Sequence, residues 1–593
     1  MAGAPRPVLS QSMSLVLAIV LLAGAAERWA LTEVAPRHGY FGDHMMNIGF
    51  GLIAQRDGLF SAYLTPVSKS PSQFYVVPVG EDSSEPIQGL WKNRIAINYP
   101  PLGMALFWMQ SKLLPSEPRR LSPLTSLSLA LQAVDLSPQQ QSALESEIQS
   151  QRMAAARGGA ITVKQADVDK LAASFLPQQA QQWREGHRFL DVECNTVRTR
   201  AIMSMASVLA DLAAAIGVFL AAMALFGPRS AVLAASVCWL CAPLAMDSSF
   251  WGQQDSWVLA PAMFMLYLLM RGRWVGAGLC LAIATLLKTQ GLLLAPVAEM
   301  AAIMVGRDAG PIPIKTVVAR LAKSFGAAAV AALVITLPWT VTEFSAGQSP
   351  QADRGDGWLS QAFIENFRQY PSTTMMAFNV WYLDALAMDR QPTGSALDAA
   401  APLLGLTKDA WGKILIAAAL AALAWLCWRR FRSNGRLGLA VFAGLWLWST
   451  FIWPTRVHER YIVLCMPMII LLAAGLKRFW PAVIGLLIVG TAELSWNAWM
   501  PDNTPPVGKF YEEGVKQKYR WIMAQYDAMP LWQRPPIPTY NEVLAKYHAD
   551  YRNRREQVEG YEYALTLLSL AAYSLAVFAA VKAGSHPCRN AIQ

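Results

Sequence analysis

Apolar blocks close to the ~20 residues needed to cross ~30 Å of hydrocarbon recur along this chain, separated by short linkers and three long polar stretches. The first block covers 13–31. Others follow at 201–226, 229–246, 255–271, 322–343, 412–428, 437–453, 460–476, 479–497 and 561–582. A longer run, 274–304, is broken by Lys288-Thr289-Gln290-Gly291, so it reads as two short helices meeting at a polar tip. Counting that run twice gives about 12 crossings. The expected fold class is all-α, a polytopic helical membrane protein whose extracytoplasmic loops contain juxtamembrane amphipathic helices.

The polar stretches divide the chain. Residues 1–31 form the first transmembrane helix, 32–199 a first loop, 200–343 the central helices, 344–411 a second loop, and 412–497 a further helical group. A third exposed segment, 498–560, precedes the last helix and tail, 561–593. Within the first loop, 98–113 (NYPPLGMALFWMQSKL) is apolar but short, and the rigid Tyr99-Pro100-Pro101 turn opens it. It suits a helix lying in the membrane surface better than a crossing. Residues 114–198 are rich in Gln, Ser and Glu, and short amphipathic helices are expected there. No small-residue cleavage site follows the first block, which is read as a retained span.

At 593 residues, 54% hydrophobic, with 22 Trp, the chain is too apolar for one soluble core. The net charge of +10 does not indicate nucleic-acid binding, because the basic residues fall in short linkers between spans, as the positive-inside bias requires. With the N-terminus inside, Arg229, Arg271, Arg273, 315–323, 429–436, Lys477 and Arg478 are cytoplasmic. Asp43, Gln253, Lys288, Asn379, His458 and 498–560 then share the opposite face. The Ala- and Arg-rich composition favours a bacterial plasma membrane, with the endoplasmic reticulum as the alternative. Cys238, Cys241, Cys280, Cys427 and Cys465 lie in spans and Cys194 and Cys588 stand apart, which gives neither metal spacing nor a disulfide framework.

Six polar motifs gather on that outer face: Gly42–His44, Ile97–Gly103, Trp251–Trp257, Leu287–Gly291, Tyr370–Leu383 and Arg456–Tyr461. They suit chemistry on a sugar carried by a lipid phosphate. Negative charge grows on the phosphate as the glycosidic bond breaks, and Arg460, His458 and Lys288 are cations placed to stabilise it. An acceptor hydroxyl needs a carboxylate to take its proton, a role for Asp43 with Asp255 in reserve. Trp251, Trp257, Trp381 and Tyr382 offer faces for sugar rings. Plainer readings stand beside these. Asp43 and Asp255 are also good helix caps, Lys288 can snorkel from a helix end, and Glu459 can pair locally with His458 or Arg460. The tryptophans also suit the membrane interface.

The order of these motifs resembles the GT-C superfamily of membrane glycosyltransferases that use polyprenyl-phosphate sugars. The likeness is nearest to the dolichyl-phosphate-glucose glucosyltransferases of N-glycan assembly and their bacterial relatives. It rests on Gly42-Asp43, Asn98-Tyr99-Pro100-Pro101-Leu102, Gly252-Gln253-Gln254-Asp255, Lys288-Thr289-Gln290, Ala377-Phe378-Asn379-Val380-Trp381 and Val457-His458-Glu459-Arg460. The resemblance implies inverting, single-displacement transfer of a hexose to a lipid-linked glycan or cell-envelope polysaccharide. Asp43 would be the general base. His458, Arg460 and Lys288 would meet the donor phosphate, and Tyr99, Gln253, Gln254, Asp255, Asn379 and Trp381 the substrate. No nucleotide sugar is implied. A divalent metal is not favoured, because His44 and not a second acid follows Asp43. The insertion at 116–198 and the segment 498–560 depart from the family pattern and leave the acceptor open. A transporter or flippase of lipid-linked sugars is the alternative, compatible with the broken helix at Lys288, although one-sided motifs and the lack of an internal repeat favour transfer.

Overall fold

Every apolar block forms helix in the structure, a computed structural model that describes residues 10–38, 42–56, 58–64, 74–78, 97–114, 119–120, 187–191, 196–346, 357–365, 373–375, 377–388, 399–499 and 540–584. The first span is α1 (Gln11–His38), and two short helices follow, α2 (Gly42–Arg56) and α3 (Pro101–Ser111). Next come α4 (Val197–Phe226), α5 (Pro228–Trp239), α6 (Ala242–Ala245), α7 (Ser256–Met270), α8 (Trp274–Leu287), α9 (Ala295–Met304) and α10 (Ile314–Ala346). The rest are α11 (Val380–Met388), α12 (Lys408–Arg430), α13 (Gly435–Ile452), α14 (Met466–Gly475), α15 (Trp480–Trp499) and α16 (Tyr540–Ala583).

The chain is a polytopic helical membrane protein. Among the described residues eight helices are long and apolar enough to cross a membrane, and a ninth span is the α5–α6 pair, bent by 44°. The other expected crossings are shorter: α7 and α8 have 15 and 14 residues, and α14 has 10 after a 3-10 segment at Glu459–Cys465. The run at 274–304 does break where expected, with α8 ending at Leu287 and a 3-10 turn over Thr289–Leu294 leading into α9. Local chemistry sets these ends. Thr196, Thr407 and Asn434 accept N–H bonds at the starts of α4, α12 and α13, and proline opens α3 and α5.

The first loop holds α2 and α3 and also a small antiparallel sheet that was not expected, β1 (Phe74–Pro78) beside β3 (His187–Asp191) and β3 beside β2 (Arg119–Arg120). Phe74, Tyr75, Val76 and Val77 are residue types that favour pleated backbone. Residues 115–118, 121–186 and 192–195, where amphipathic helices are expected, and 500–539 of the third exposed segment lie outside the described residues. The last helix also begins earlier than expected, at Tyr540.

The centre of the molecule is α13, buried along almost its whole length, as suits a helix apolar on all sides. At the edge, α10 buries only Ser324, Thr336 and Trp339 among its described residues. Small residues let helices meet closely. A Cβ on Gly278 of α8 would lie 2.0 Å from the Ser324 carbonyl oxygen of α10, so these backbones are in contact there. Over the helices, α3 packs on α2 and α7 through an aromatic cluster in which Tyr99, Phe50, Phe107 and Trp257 meet at centroid distances of 4.9–6.3 Å.

Gly278→Leu is expected to lower unfolding stability in detergent by about 1–3 kcal/mol through overpacking. Gly326→Leu, where an added carbon meets nothing within 4 Å, should stay within about 0.5 kcal/mol. Thermal unfolding of the purified variants checks both.

Candidate active site

The site is built where α6 runs out. Met246–Trp251 winds as a π-helical turn, and Gly252 then takes the left-handed region at φ 71°, which a side chain would strain. The Gln253 N–H donates back to the Asp247 carbonyl at 2.8 Å and closes the corner. The turn presents Gln253, Gln254 and Asp255, all fully buried, to the head of α2 and the α8 tip.

Asp43 lies inside the first turn of α2, which begins at Gly42 and not at His44. Its Oδ2 accepts a 2.6 Å hydrogen bond from Gln253 Nε2 and sits 3.3 Å from an Arg460 guanidinium nitrogen. Asp255 stands at the N-cap of α7 without making a capping bond. It pairs instead with Lys288 Nζ at 2.7 Å, and its other oxygen is 3.6 Å from Arg460 Nε. Lys288 is 5% exposed, so it does not snorkel to water. It faces the rings of Tyr99 and Tyr461 at 6.0 and 5.9 Å. Asp43 is the most open of the four, with 22% of its side chain exposed against 11% for Arg460 and none for Asp255.

Neighbouring groups hold this set in place. Tyr99 Oη donates to Gln254 Oε1 at 2.5 Å, and Gln290 Nε2 donates to Tyr461 Oη at 2.6 Å. After the short pair β5 (Pro402–Leu403) and β6 (Leu406–Thr407), the segment before Arg460 is a strand, β7 (Val457–His458), paired in parallel with β4 (Thr374–Met375). Arg456, at φ 64°, donates its N–H to the Thr373 carbonyl at 2.8 Å. The Tyr370–Leu383 motif is thus the partner of the basic motif. Burial, and then the Arg460 charge beside it, push the His458 imidazole below its ordinary pKa. Glu459 does pair locally, 3.4 Å from Arg460, so that plainer reading holds together with the longer-range contacts.

The structure therefore brings together Asp43, Gln253, Gln254, Asp255, Tyr99, Lys288 and Arg460. His458 is the last residue of β7, two positions before Arg460. Asn379 and Trp381 belong to the supporting layer. Asn379 Oδ1 accepts from the N–H groups of Trp381 and Tyr382, its Nδ2 donates to Phe451 O at 3.2 Å, and Trp381 Nε1 donates to Trp453 O at 2.8 Å. Trp251, Trp257 and Tyr382, read from the sequence as sugar-stacking faces, are each 5% exposed or less, and Trp251 donates to Leu494 O at 2.6 Å. Their faces are used in packing.

Sequence reasoning passed over Asp247, which is fully buried with neither carboxylate oxygen hydrogen-bonded among the described residues, and whose charged neighbours are Asp255, Lys288, Arg460 and Asp211. It also passed over Arg28 and Asp211, a buried ion pair at 2.9 Å. The available signal was an ionisable residue in or at the end of an apolar block, which is costly unless it has a purpose. No group of three His, Cys, Asp or Glu among the described residues is arranged to hold a metal ion.

The sequence matches no family model and no curated protein. Among solved structures the chain is similar to ArnT from Cupriavidus metallidurans bound to undecaprenyl phosphate, with 18% identity and a TM-score of 0.31. The match covers 66% of this chain and 65% of that one, so the chain spans a little under two thirds of that neighbour's length. At that identity and TM-score the likeness decides nothing about this site or its chemistry.

Asp255→Ala leaves the buried Lys288 without its carboxylate and is expected to cost about 3–5 kcal/mol. Adding Lys288→Met should restore most of that loss, because it removes the orphaned charge. Detergent unfolding of the single and double variants reads the difference.

Proposed function

We propose that this protein is an inverting membrane glycosyltransferase of the GT-C type, which moves a hexose from a polyprenyl-phosphate carrier to a glycan or glycolipid acceptor on the extracytoplasmic side of a bacterial plasma membrane. The observation that carries this reading is the contact between Asp43 and Arg460. It sets a partly exposed carboxylate beside a buried guanidinium, which itself neighbours Lys288 across Asp255.

In this reading Arg460 and Lys288 bind the donor phosphate, with arginine able to meet two of its oxygens, and His458 adds its imidazole at the edge. The acceptor oxygen attacks the anomeric carbon from the face opposite the phosphate, and its proton passes to Asp43. The bond from the anomeric carbon to the phosphate oxygen breaks and its electron pair stays on the lipid phosphate. That phosphate gains one negative charge as it leaves. The two cations therefore hold the transition state more strongly than the ground state, the condition for lowering the barrier. Gln253 fixes one oxygen of Asp43 and leaves the other for the acceptor. Tyr99, Gln254 and Asp255 border the sugar, while Asn379 and Trp381 act through the turn that carries His458. No step requires a nucleotide sugar or a metal.

With purified full-length protein and a synthetic polyprenyl-phosphate hexose, Asp43→Asn should keep donor binding and lower transfer by roughly 10²–10⁴-fold. Arg460→Leu should lose donor binding. Near-normal transfer by Asp43→Asn would remove Asp43 as the base. Movement of labelled donor across vesicles with no new glycosidic product would replace the enzyme by a transporter.

A further inference from the structure

A second charged layer lies behind the site, one helix deeper. Arg28 of α1 reaches Asp211 of α4 through Nε at 3.0 Å and a terminal nitrogen at 2.9 Å, both on Oδ2. Its remaining terminal nitrogen donates to the Trp239 and Gly24 carbonyls at 2.8 and 3.2 Å, and its guanidinium lies 3.8 Å from the centre of the Trp239 ring. Both residues are buried, in helices apolar enough to span a membrane. A contact that merely joined α1 to α4 would not need charge.

The other partners of Asp211 show what the charge does. Ser248 Oγ donates to Oδ2 at 2.7 Å, and Ser256 Oγ makes a short bond to Oδ1. One helical turn earlier on the same face of α4, Ser207 Oγ donates to the Gln253 carbonyl at 2.7 Å. These three bonds take hold of the 247–256 turn at its beginning, middle and end. Ser248 adjoins Asp247 and Ser256 adjoins Asp255, while Ser207 grips the backbone of the residue that holds Asp43. Asp211 thus joins both ends of the turn to α4, and Arg28 supplies the opposite charge that a buried carboxylate needs.

We propose that Asp211, paired with Arg28, is the positioning residue for the phosphate-binding turn, acting through Ser248 and Ser256 with Ser207 beside it. The assignment rests on the glycosyltransferase reading, since the ligand being positioned for is a polyprenyl phosphate. Loss of a hydroxyl lets the turn shift, and Asp255 no longer holds Lys288 and Arg460 at the spacing a phosphate requires.

The test measures binding of undecaprenyl phosphate to the full-length protein in detergent, with the unfolding temperature of each variant recorded alongside. Ser256→Ala, which leaves Arg28 and Asp211 paired, is expected to weaken binding by about tenfold, the scale of one lost bond to a charged group. Its unfolding temperature should stay close to that of the wild type, and Ser256→Thr should restore affinity. Ser207→Ala is the second variant and should weaken binding in the same direction. Wild-type affinity in both alanine variants overturns the positioning role, as does weakened binding that Ser256→Thr fails to rescue. If the wild type itself does not bind undecaprenyl phosphate, the glycosyltransferase reading falls and takes this inference with it.

Discussion

Two cations buried beside a membrane must each find a carboxylate, and that requirement organises this molecule. An unpaired ammonium or guanidinium away from water costs several kcal/mol, of the same order as the whole stability of a typical domain. Lys288 meets Asp255, and Arg460 meets both Asp255 and Asp43. These contacts tie the α8 tip, the 247–256 turn, the head of α2 and the segment after β7 into one unit. Segments from nearly opposite ends of the chain are held within hydrogen-bonding reach of each other.

The backbone around the charges is shaped to allow this. A π-helical turn and the left-handed Gly252 reverse the chain so that consecutive polar residues face inward. The β4–β7 pair fixes the approach to Arg460, and Asn379 caps the turn that begins α11 beneath it. Pre-set geometry matters because a charge growing on a leaving phosphate is best stabilised by groups that need not reorganise when it appears. Asp43, at the more exposed edge of the set, is the carboxylate to which the proposed transfer gives the acceptor's proton.

The plainer readings of these residues separate by contact. Asp43 sits within the first turn of its helix, where the helix dipole also favours an acid, and its side chain is held by Gln253 and Arg460. Asp255 makes no capping bond and pairs with Lys288. Lys288 is buried on its carboxylate instead of reaching for water. The tryptophans divide the other way. Trp251 and Trp257 fill the packing behind the turn, where their large apolar rings contribute more than at an open surface. The same helix α4 that closes the core also holds that turn from behind through Ser207 and Asp211.

Hydropathy alone was enough for the helical membrane class and for the position of each apolar block, because the cost of hydrocarbon contact acts on every residue of a span regardless of its neighbours. The break at Lys288 was legible for the same reason. The polar motifs could be picked out as candidates, but their roles could not be divided between site and scaffold. Asp43 and Trp381 were both candidates along the chain, and only packing put one against Arg460 and the other under the Trp453 carbonyl. Arg28, Asp211 and Asp247 went unread because the sign and place of one buried charge have meaning only beside another, and that pairing joins residues distant in sequence. The strands of the first loop needed partners from both ends of a long insertion, so they too were decided in three dimensions. Solvent preference is written residue by residue, whereas electrostatic pairing and strand pairing exist only between segments that the fold has brought together.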